Sequence, residues 1–432
     1  MKAERPKGGI SSTRSGLDGV FRDHWRVVVG ALTRRFSPAY LDLIESCVQD
    51  AMIKAAETWP IDGAPDNPGA WLRRVAHNSF IDALRRDTSF ERKSDAIRRH
   101  YYDGADETLE TAELGGPLDD DVLKMMLICC HPSLSERAQI SLTLRNICGF
   151  GVGEIARALH MGDAAITKTL TRARQTIRDK DLQFAIPDGN DLMARLEAVN
   201  AAVYLLFNEG YLAHGGDSLV RAELCREAIR VVELILRSRP HDPGKIHALA
   251  ALMYLQASRL GSRTDAAGRL LTIAEQDRSQ WDQSLVRTGI GHLEASMRSV
   301  ERSPYHLQAA IAACHALAPS FEDTDWPRIL ELYDDLLSID GSPMVALNRS
   351  VAVMMTRGAE PAIELLTALE TEGKLRDDHL LPALMADFHR RAGREQDAEK
   401  HYRDALALAR SRPEKQFLRR RIAECSHDYT GG

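Results

Sequence analysis

Between Thr167 and Arg178 the chain sets hydroxyls and cations at helical spacing. Thr167, Lys168, Thr171, Arg172, Arg174 and Arg178 fall away from a stripe formed by Ile166, Leu170, Ala173 and Ile177. A helix patterned this way buries one side and offers ammonium and guanidinium groups to phosphates and purine edges from the other. Upstream, Ile155, Ala156 and Leu159 give a shorter helix its own stripe, and His160-Met161-Gly162 makes a tight turn between the two. That is the pattern of a helix-turn-helix, with Asp163 as N-cap or first-turn residue. A plain helical hairpin with a solvated basic face has the same pattern, so the neighbouring sequence must decide.

A second stretch, AWLRRVAHNSFIDALRRD, mixes Trp71 and Phe80 with Arg73, Arg74, His77, Asn78, Asp82, Arg85 and Arg86. Aromatics interleaved with cations suit a single nucleic-acid strand whose bases stack while its phosphates pair. An ordinary helix with a basic solvated face reads similarly. Catalytic patterns are weak. Cys129-Cys130-His131 lacks the two-residue gap of a zinc knuckle and is read as a buried helix end. GFGVGE (149–154) lacks both the GxGxxG spacing and a preceding strand, and no histidine finds a nucleophile in a recognisable motif. The expectation is a non-enzyme with no metal and no cofactor.

The elements that must hold these faces are helical throughout, which predicts an all-α protein. Val20, Phe21, Trp25, Val28, Val29, Leu32 and Phe36 form one stripe. Leu41, Ile44, Val48, Met52 and Ala55 form a second, and Trp71, Leu72, Val75, Ile81 and Leu84 a third. The Pro/Gly/Asp-rich loop within TWPIDGAPDNPGAW (58–71) separates the last two, with Pro68 in the first turn of the new helix.

Charge divides sharply along the 432 residues. The net value of −6 combines about +4 over 1–100, −8 over 101–121, +3 over 122–188 and −5 over 189–432. Two basic blocks thus flank an acidic connector containing Gly115-Gly116-Pro117, which reads as a linker. The N-terminal tail is polar and Gly/Ser-rich, neither signal peptide nor anchor, and no apolar run is long enough for a membrane span. Seven scattered cysteines, an odd number, argue for reduced thiols in a cytoplasm.

Residues 190–427 read as paired helices broken by Gly and Pro, at spacings that suggest an α-solenoid. RRAGREQDAEKHYRDALAL (390–408) looks like one tetratricopeptide repeat, with Ala398, Tyr402 and Ala405 among its packing positions, and 347–369 looks like another. Asn208, Glu209, Tyr211, Gln276, Asp277, Arg278, Trp281 and Asp282 are candidates for a binding surface on this solenoid. The competing reading gives them to internal hydrogen bonds.

Taken together, LDLIESCVQDAMIKAAETWP (41–60), NPGAWLRRVAHNSFIDALRR (67–86) and LSERAQISLTLRNICGFGVGEIARALHMGDAAITKTLTRARQTIR (134–178) resemble bacterial RNA polymerase sigma factors of the extracytoplasmic-function type. LLFNEGY, AEQDRSQWD, SPYHLQAAIAACHA and TDWPRILELYDDL resemble the group with a C-terminal tetratricopeptide-like extension. The resemblance implies a disordered tail at 1–18, sigma region 2 at 19–89, an acidic linker at 90–121, sigma region 4 at 122–181 and the helical extension at 190–427. It also implies that Asp42, Glu45, Gln49 and Asp50 contact core polymerase, through its β′ and β subunits, although Ser46 stands where the family usually has an acid. The −10 element falls to Arg73, Arg74, Asn78, Asp82, Arg85 and Arg86, and the −35 element to Thr167, Lys168, Thr171, Arg172 and Arg174. The extension would regulate the factor, with a small YCII-type protein as one possible partner. The linker leaves regions 2 and 4 able to pack together when free and to separate on polymerase. The alternative function is a helix-turn-helix regulator with a ligand- or protein-sensing solenoid.

Overall fold

The computed structural model describes residues 24–86, 117–159, 161–187, 189–211, 222–237, 243–265, 267–299, 302–373, 375–376, 378–409 and 411–428. The expected tail and most of the expected linker lie outside them. Among the described residues there are eighteen α-helices and no strand, only an isolated bridge between Thr264 and Leu270. The chain divides into two compact units, Met1–Leu205 and Leu206–Gly432.

The first unit opens with α1 (24–36), a 3-10 turn at Pro38–Tyr40, α2 (Leu41–Asp62) and α3 (Pro68–Arg86). Of the first expected stripe, Trp25, Val28, Val29, Leu32 and Phe36 are buried on α1, while Val20 and Phe21 lie outside the described residues. On α3 the buried face is turned by about one residue from the expected stripe, to Leu72, Ala76, Phe80 and Leu84. Phe80 is wholly buried and stacks on Phe36 with ring centroids 4.2 Å apart. It therefore belongs to the core and is not available to nucleic-acid bases. Small alanines at positions 51, 55 and 76 let α2 and α3 approach closely, and Asn67 caps α3 by accepting from the Ala70 N–H at 3.0 Å.

Next come α4 (Pro117–Cys129), α5 (Glu136–Asn146), α6 (Val152–Ala158) and α7 (Asp163–Asp179). Helix α4 begins inside the stretch expected as linker. A proline at its first position and the acidic residues that follow favour a helix N-terminus there. Ile166, Leu170, Ala173 and Ile177 are all buried, so the period that pointed to α7 does define its inner face. Gly162 serves as its N-cap residue and Asp163 is its first helical residue. Cys129 and Cys130 are fully buried at the end of α4, and burial raises both thiols, Cys130 to about 12. Such thiols are poor ligands and nucleophiles.

The boundary between units falls within α8 (Gly189–Tyr211). The second unit continues with α9 (Ala222–Arg237), α10 (Gly244–Ala257), α11 (Gln283–Ser296), α12 (Pro304–Leu317), α13 (Trp326–Ile339), α14 (Pro343–Arg357), α15 (Ala359–Thr371), α16 (Leu380–Arg391), α17 (Glu395–Leu408) and α18 (Arg412–Asp428). Successive helices stack as pairs. Helix α10 is buried on almost every side and is crossed closely at Gly289 of α11, where an added Cβ would lie 2.8 Å from Leu255 Cγ. Trp326, Ile329, Leu347, Val353, Leu366 and Phe388 belong to one core running from α12 to α16, and Ala398, Tyr402, Ala405 and Leu418 to another that seats α17 and α18.

Candidate functional site

Helix α7 presents Thr167, Lys168, Thr171 and Arg172 to solvent, opposite its buried stripe. The two threonine hydroxyls donate back to the carbonyls of Asp163 and Thr167, at 2.9 and 2.8 Å. Their methyls and oxygen lone pairs face outward, suited to thymine methyls and base donors, while Lys168 and Arg172 supply charge. Ala164 and Ala165 leave the tip of the helix small and exposed.

Arg174 is different. Its guanidinium is turned toward α2, where Nη2 donates to Glu45 Oε2 at 2.7 Å and Nε to Oε1 at 3.2 Å. The same carboxylate takes Arg145 Nε at 2.8 Å, and Glu45 is only 2% exposed. Arg145, on α5, also donates to Gln49 Oε1 and to the Phe150 carbonyl, and lies over the Trp25 ring at 4.4 Å. One turn beyond Arg174, Arg178 donates to Asp42 Oδ2 at 3.0 Å. Arg34 of α1 reaches the buried Asp121 of α4 at 3.1 Å. Three of the four residues expected to meet polymerase, Asp42, Glu45 and Gln49, are thus joined to arginines of α5 and α7, whereas Asp50 is exposed. Two like-charged guanidiniums against one buried carboxylate form a hydrogen-bonded triad rather than a loose surface pair.

On α3, Arg74, Asn78, Asp82, Arg85 and Arg86 are exposed and follow one another at three- and four-residue spacing along a single face. Asp82 lies 3.5 Å from Arg85, and its carbonyl accepts from Arg86 Nε at 3.2 Å. Arg73 sits to the side, half-buried, its proton affinity lowered by burial and by the nearby Arg34 charge. Burial likewise lowers the His77 imidazole, whose Nδ1 is 3.5 Å from Asn78 Oδ1.

The eight candidates in the second unit do not form one exposed surface. Tyr211, Gln276, Arg278 and Trp281 are buried. Arg278 ties the end of α12 to the loop after it, donating to the carbonyls of His315 and Ala318 at 2.9 and 3.0 Å and to Thr324 Oγ1 at 2.8 Å. Asp277 accepts from the Ser279 N–H, and Asp282 caps α11 by accepting from Ser284 and Leu285. Tyr211 stacks on Phe207 and lies beneath the guanidiniums of Arg259 and Arg263. Asn208 and Glu209 are half-exposed at the end of α8.

A polar cluster in this unit escaped the sequence reading. His247 Nδ1 and His292 Nδ1 are 2.9 Å apart, His292 Nε2 is 3.1 Å from Glu233 Oε1, and the Tyr254 hydroxyl donates to that same oxygen at 3.1 Å. A carboxylate only accepts, so His292 carries its proton on Nε2. Between the two Nδ1 atoms, one ring donates and the other accepts. The bond from His292 holds Glu233 below the usual carboxylate range, and burial lowers His247. Among the described residues no group of three or more His, Cys, Asp or Glu is placed to hold a metal ion.

Comparison with known proteins finds three family matches along the chain. Residues 20–90 match the family described as Sigma-70 region 2, residues 124–177 that described as Sigma-70, region 4, and residues 195–297 a family of unknown function, DUF6596. An uncharacterized protein of Rhizobium meliloti is 36% identical over 394 residues, covering 91% of this chain and 92% of that one. The RNA polymerase sigma factor YlaC of Bacillus subtilis is 24% identical over 169 residues, 38% of this chain and 91% of its own length.

Proposed function

Because this chain is an RNA polymerase sigma factor of the sigma-70 type, with regions 2 and 4 ahead of a C-terminal domain of unknown function, we propose that it works as an extracytoplasmic-function factor in the cytoplasm. In this reading region 2 opens the −10 element and region 4 grips the −35 element. The observation that carries it is the pairing of two separate exposed polar faces, Arg74 to Arg86 on α3 and Thr167 to Arg172 on α7, in one chain. Extracting a base from the −10 duplex costs a few kcal/mol of stacking. The guanidiniums and the Asn78 amide on α3, with Arg73 beside them, are of the right chemistry to offset that cost. On α7, Thr167, Lys168 and Thr171 near its first turns would read base edges while Arg172 and Arg174 hold phosphate. Asp42, Glu45, Gln49 and Asp50 would meet basic side chains of the β′ subunit, with β as a further contact.

The second unit, with its stacked helix pairs, is in this reading a tetratricopeptide-like solenoid that regulates the factor. A small YCII-type protein or another regulator would dock on it. No helix among the described residues is long and apolar enough to cross a membrane. The test is co-purification: tagged full-length chain mixed with core polymerase should elute as a stoichiometric complex. If core polymerase passes through unretained at low salt, the assignment of Asp42 to Asp50 fails.

A further inference from the structure

Three stretches that have no part in promoter recognition, LLFNEGY (205–211), AEQDRSQWD (274–282) and SPYHLQAAIAACHA (303–316), send residues toward two arginines that lie outside all of them. Arg259 and Arg263 bracket the 3-10 turn Leu260–Ser262 that follows α10. Both guanidiniums lie over the ring of Tyr211, the last residue of α8, at 5.5 and 4.2 Å from its centroid, and Arg263 also donates to the Tyr211 carbonyl. Arg259 is in turn an electrostatic neighbour of Arg278 and of the buried His315 imidazole on α12. We propose that Arg259 and Arg263 form a binding site in the C-terminal domain for a small oxyanion, a phosphate monoester or a carboxylate.

Charge balance selects an anion. A cation taken out of water is stable when it is paired, yet among the described residues neither Arg259 nor Arg263 has a carboxylate within ion-pair distance. Arg263 is 7% exposed, and its electrostatic neighbours are Tyr211, Arg259 and Cys225, whose thiol burial pushes up to about 12 and so keeps uncharged. The face of one tyrosine attracts both guanidiniums but leaves their mutual repulsion in place. Other buried arginines of this chain are satisfied: Arg145 and Arg174 by Glu45, and Arg278 by the His315 and Ala318 carbonyls and Thr324. Arg278 therefore adds charge near Arg259, while its Nη atoms are already taken.

Donors for an oxyanion are present beside the cations. The Tyr211 and Ser262 hydroxyls are buried and have no hydrogen-bond partner among the described residues, and hydrogen bonds from such groups and from guanidiniums are what a phosphate or carboxylate takes up on leaving water. Burial also sets the size of the ligand. Because Arg263 is buried and Arg259 half-buried, a small molecule can meet both, whereas a nucleic-acid backbone or a folded partner cannot.

The test uses the full-length chain and two probes, inorganic phosphate and succinate. Phenylglyoxal modifies accessible guanidiniums, and peptide mass spectrometry gives the rate at each arginine. A probe at about ten times its Kd should slow modification of Arg259 about tenfold and leave the exposed Arg269 unaffected. By calorimetry, Arg259→Gln should weaken binding about tenfold or more, the loss of one charge-assisted hydrogen bond. Arg259→Lys keeps the charge and should recover part of it. Joint replacement Lys168→Ala and Arg172→Ala, which strips exposed cations from α7, should leave the affinity unchanged. The probe that protects more strongly decides between the phosphate and carboxylate classes. Failure of both probes to protect Arg259 in the unsubstituted chain overturns the proposal, whatever the variants do. An affinity that follows the α7 substitutions and ignores Arg259→Gln overturns it too, because the anion then sits on region 4. None of these readouts involves polymerase or promoter, so this site and the sigma reading fail separately.

Discussion

Replacing Arg278 by alanine separates a structural motif from a binding one. Its guanidinium satisfies the His315 and Ala318 carbonyls at the end of α12 and the Thr324 hydroxyl, all at 2.8–3.0 Å, and lies 5.3 Å from the Trp281 ring centroid. Arg278 is 8% exposed and Thr324 5% exposed, so water does not readily replace the lost donor. Hydrogen bonds to a charged group contribute about 1.5–3 kcal/mol each, and an orphaned buried acceptor costs about 1–3 kcal/mol. These terms overlap because the three bonds share one side chain, so the expected loss is about 3–4 kcal/mol rather than their sum. With a urea m-value of about 3 kcal/mol/M for a unit of this size, the midpoint for the second unit should fall by about 1 M. Arg278→Lys keeps the charge but not the planar fork and should recover only part of the loss. The assay is urea unfolding followed by helical circular dichroism and by tryptophan fluorescence, which reports Trp281 and Trp326 in the second unit. A change below about 1 kcal/mol for Arg278→Ala, outside the range of buried charged-bond losses, would refute the structural role and return AEQDRSQWD to the candidates for a binding surface.

Lys168→Ala should weaken holoenzyme binding to a cognate −35 element by about 1–3 kcal/mol, whereas Arg172→Ala should weaken cognate and unrelated elements alike and lower the salt slope by about 1. Fluorescence anisotropy, at fixed salt and across a salt series, reads both, and unchanged binding would show that α7 faces elsewhere. Gly289→Ala should cost about 1–3 kcal/mol, since the new Cβ meets Leu255 at 2.8 Å across the α10–α11 crossing; thermal unfolding checks it. Acid should destabilise the second unit from about pH 6.5 downward. Burial lowers His247 and His389 and drives His315 to about 3, so the unfolded chain binds protons that the folded chain refuses. Stability is then full above the unfolded histidine value and falls by up to about 1.4 kcal/mol per pH unit for each such group as pH drops through the window. Stability that is flat between pH 7 and 5 would contradict that assignment.

What the sequence made legible was local. The stripe of Ile166, Leu170, Ala173 and Ile177 defined α7 because its buried face repeats with the helix and needs no distant partner. The same reasoning placed Pro68 at the start of α3. It misplaced Phe80, because a helix with aromatics on two sides does not reveal which side meets the core, and here Phe36 decides. That regions 2 and 4 can pack together was expected from the linker, but the side chains that join them were not legible. Glu45 meets Arg145 and Arg174 across 100 and 129 positions of sequence, and no periodicity carries such pairings. Arg145 gave no local signal, being one cation among apolar and small polar neighbours. In the second unit, the sequence left Arg278 and Trp281 open between a binding surface and internal hydrogen bonds, and the structure buries both. The carbonyls at the end of α12 draw Arg278 inward, as the internal reading has it.

Run-off transcription with purified core polymerase and the full-length chain on a genomic library tests the central claim most directly. The account predicts discrete start sites that appear only when the chain is added, with a shared element about one helical turn upstream and a second about three turns upstream. The absence of any chain-dependent transcript, from core polymerase that initiates normally with another sigma factor, would contradict it.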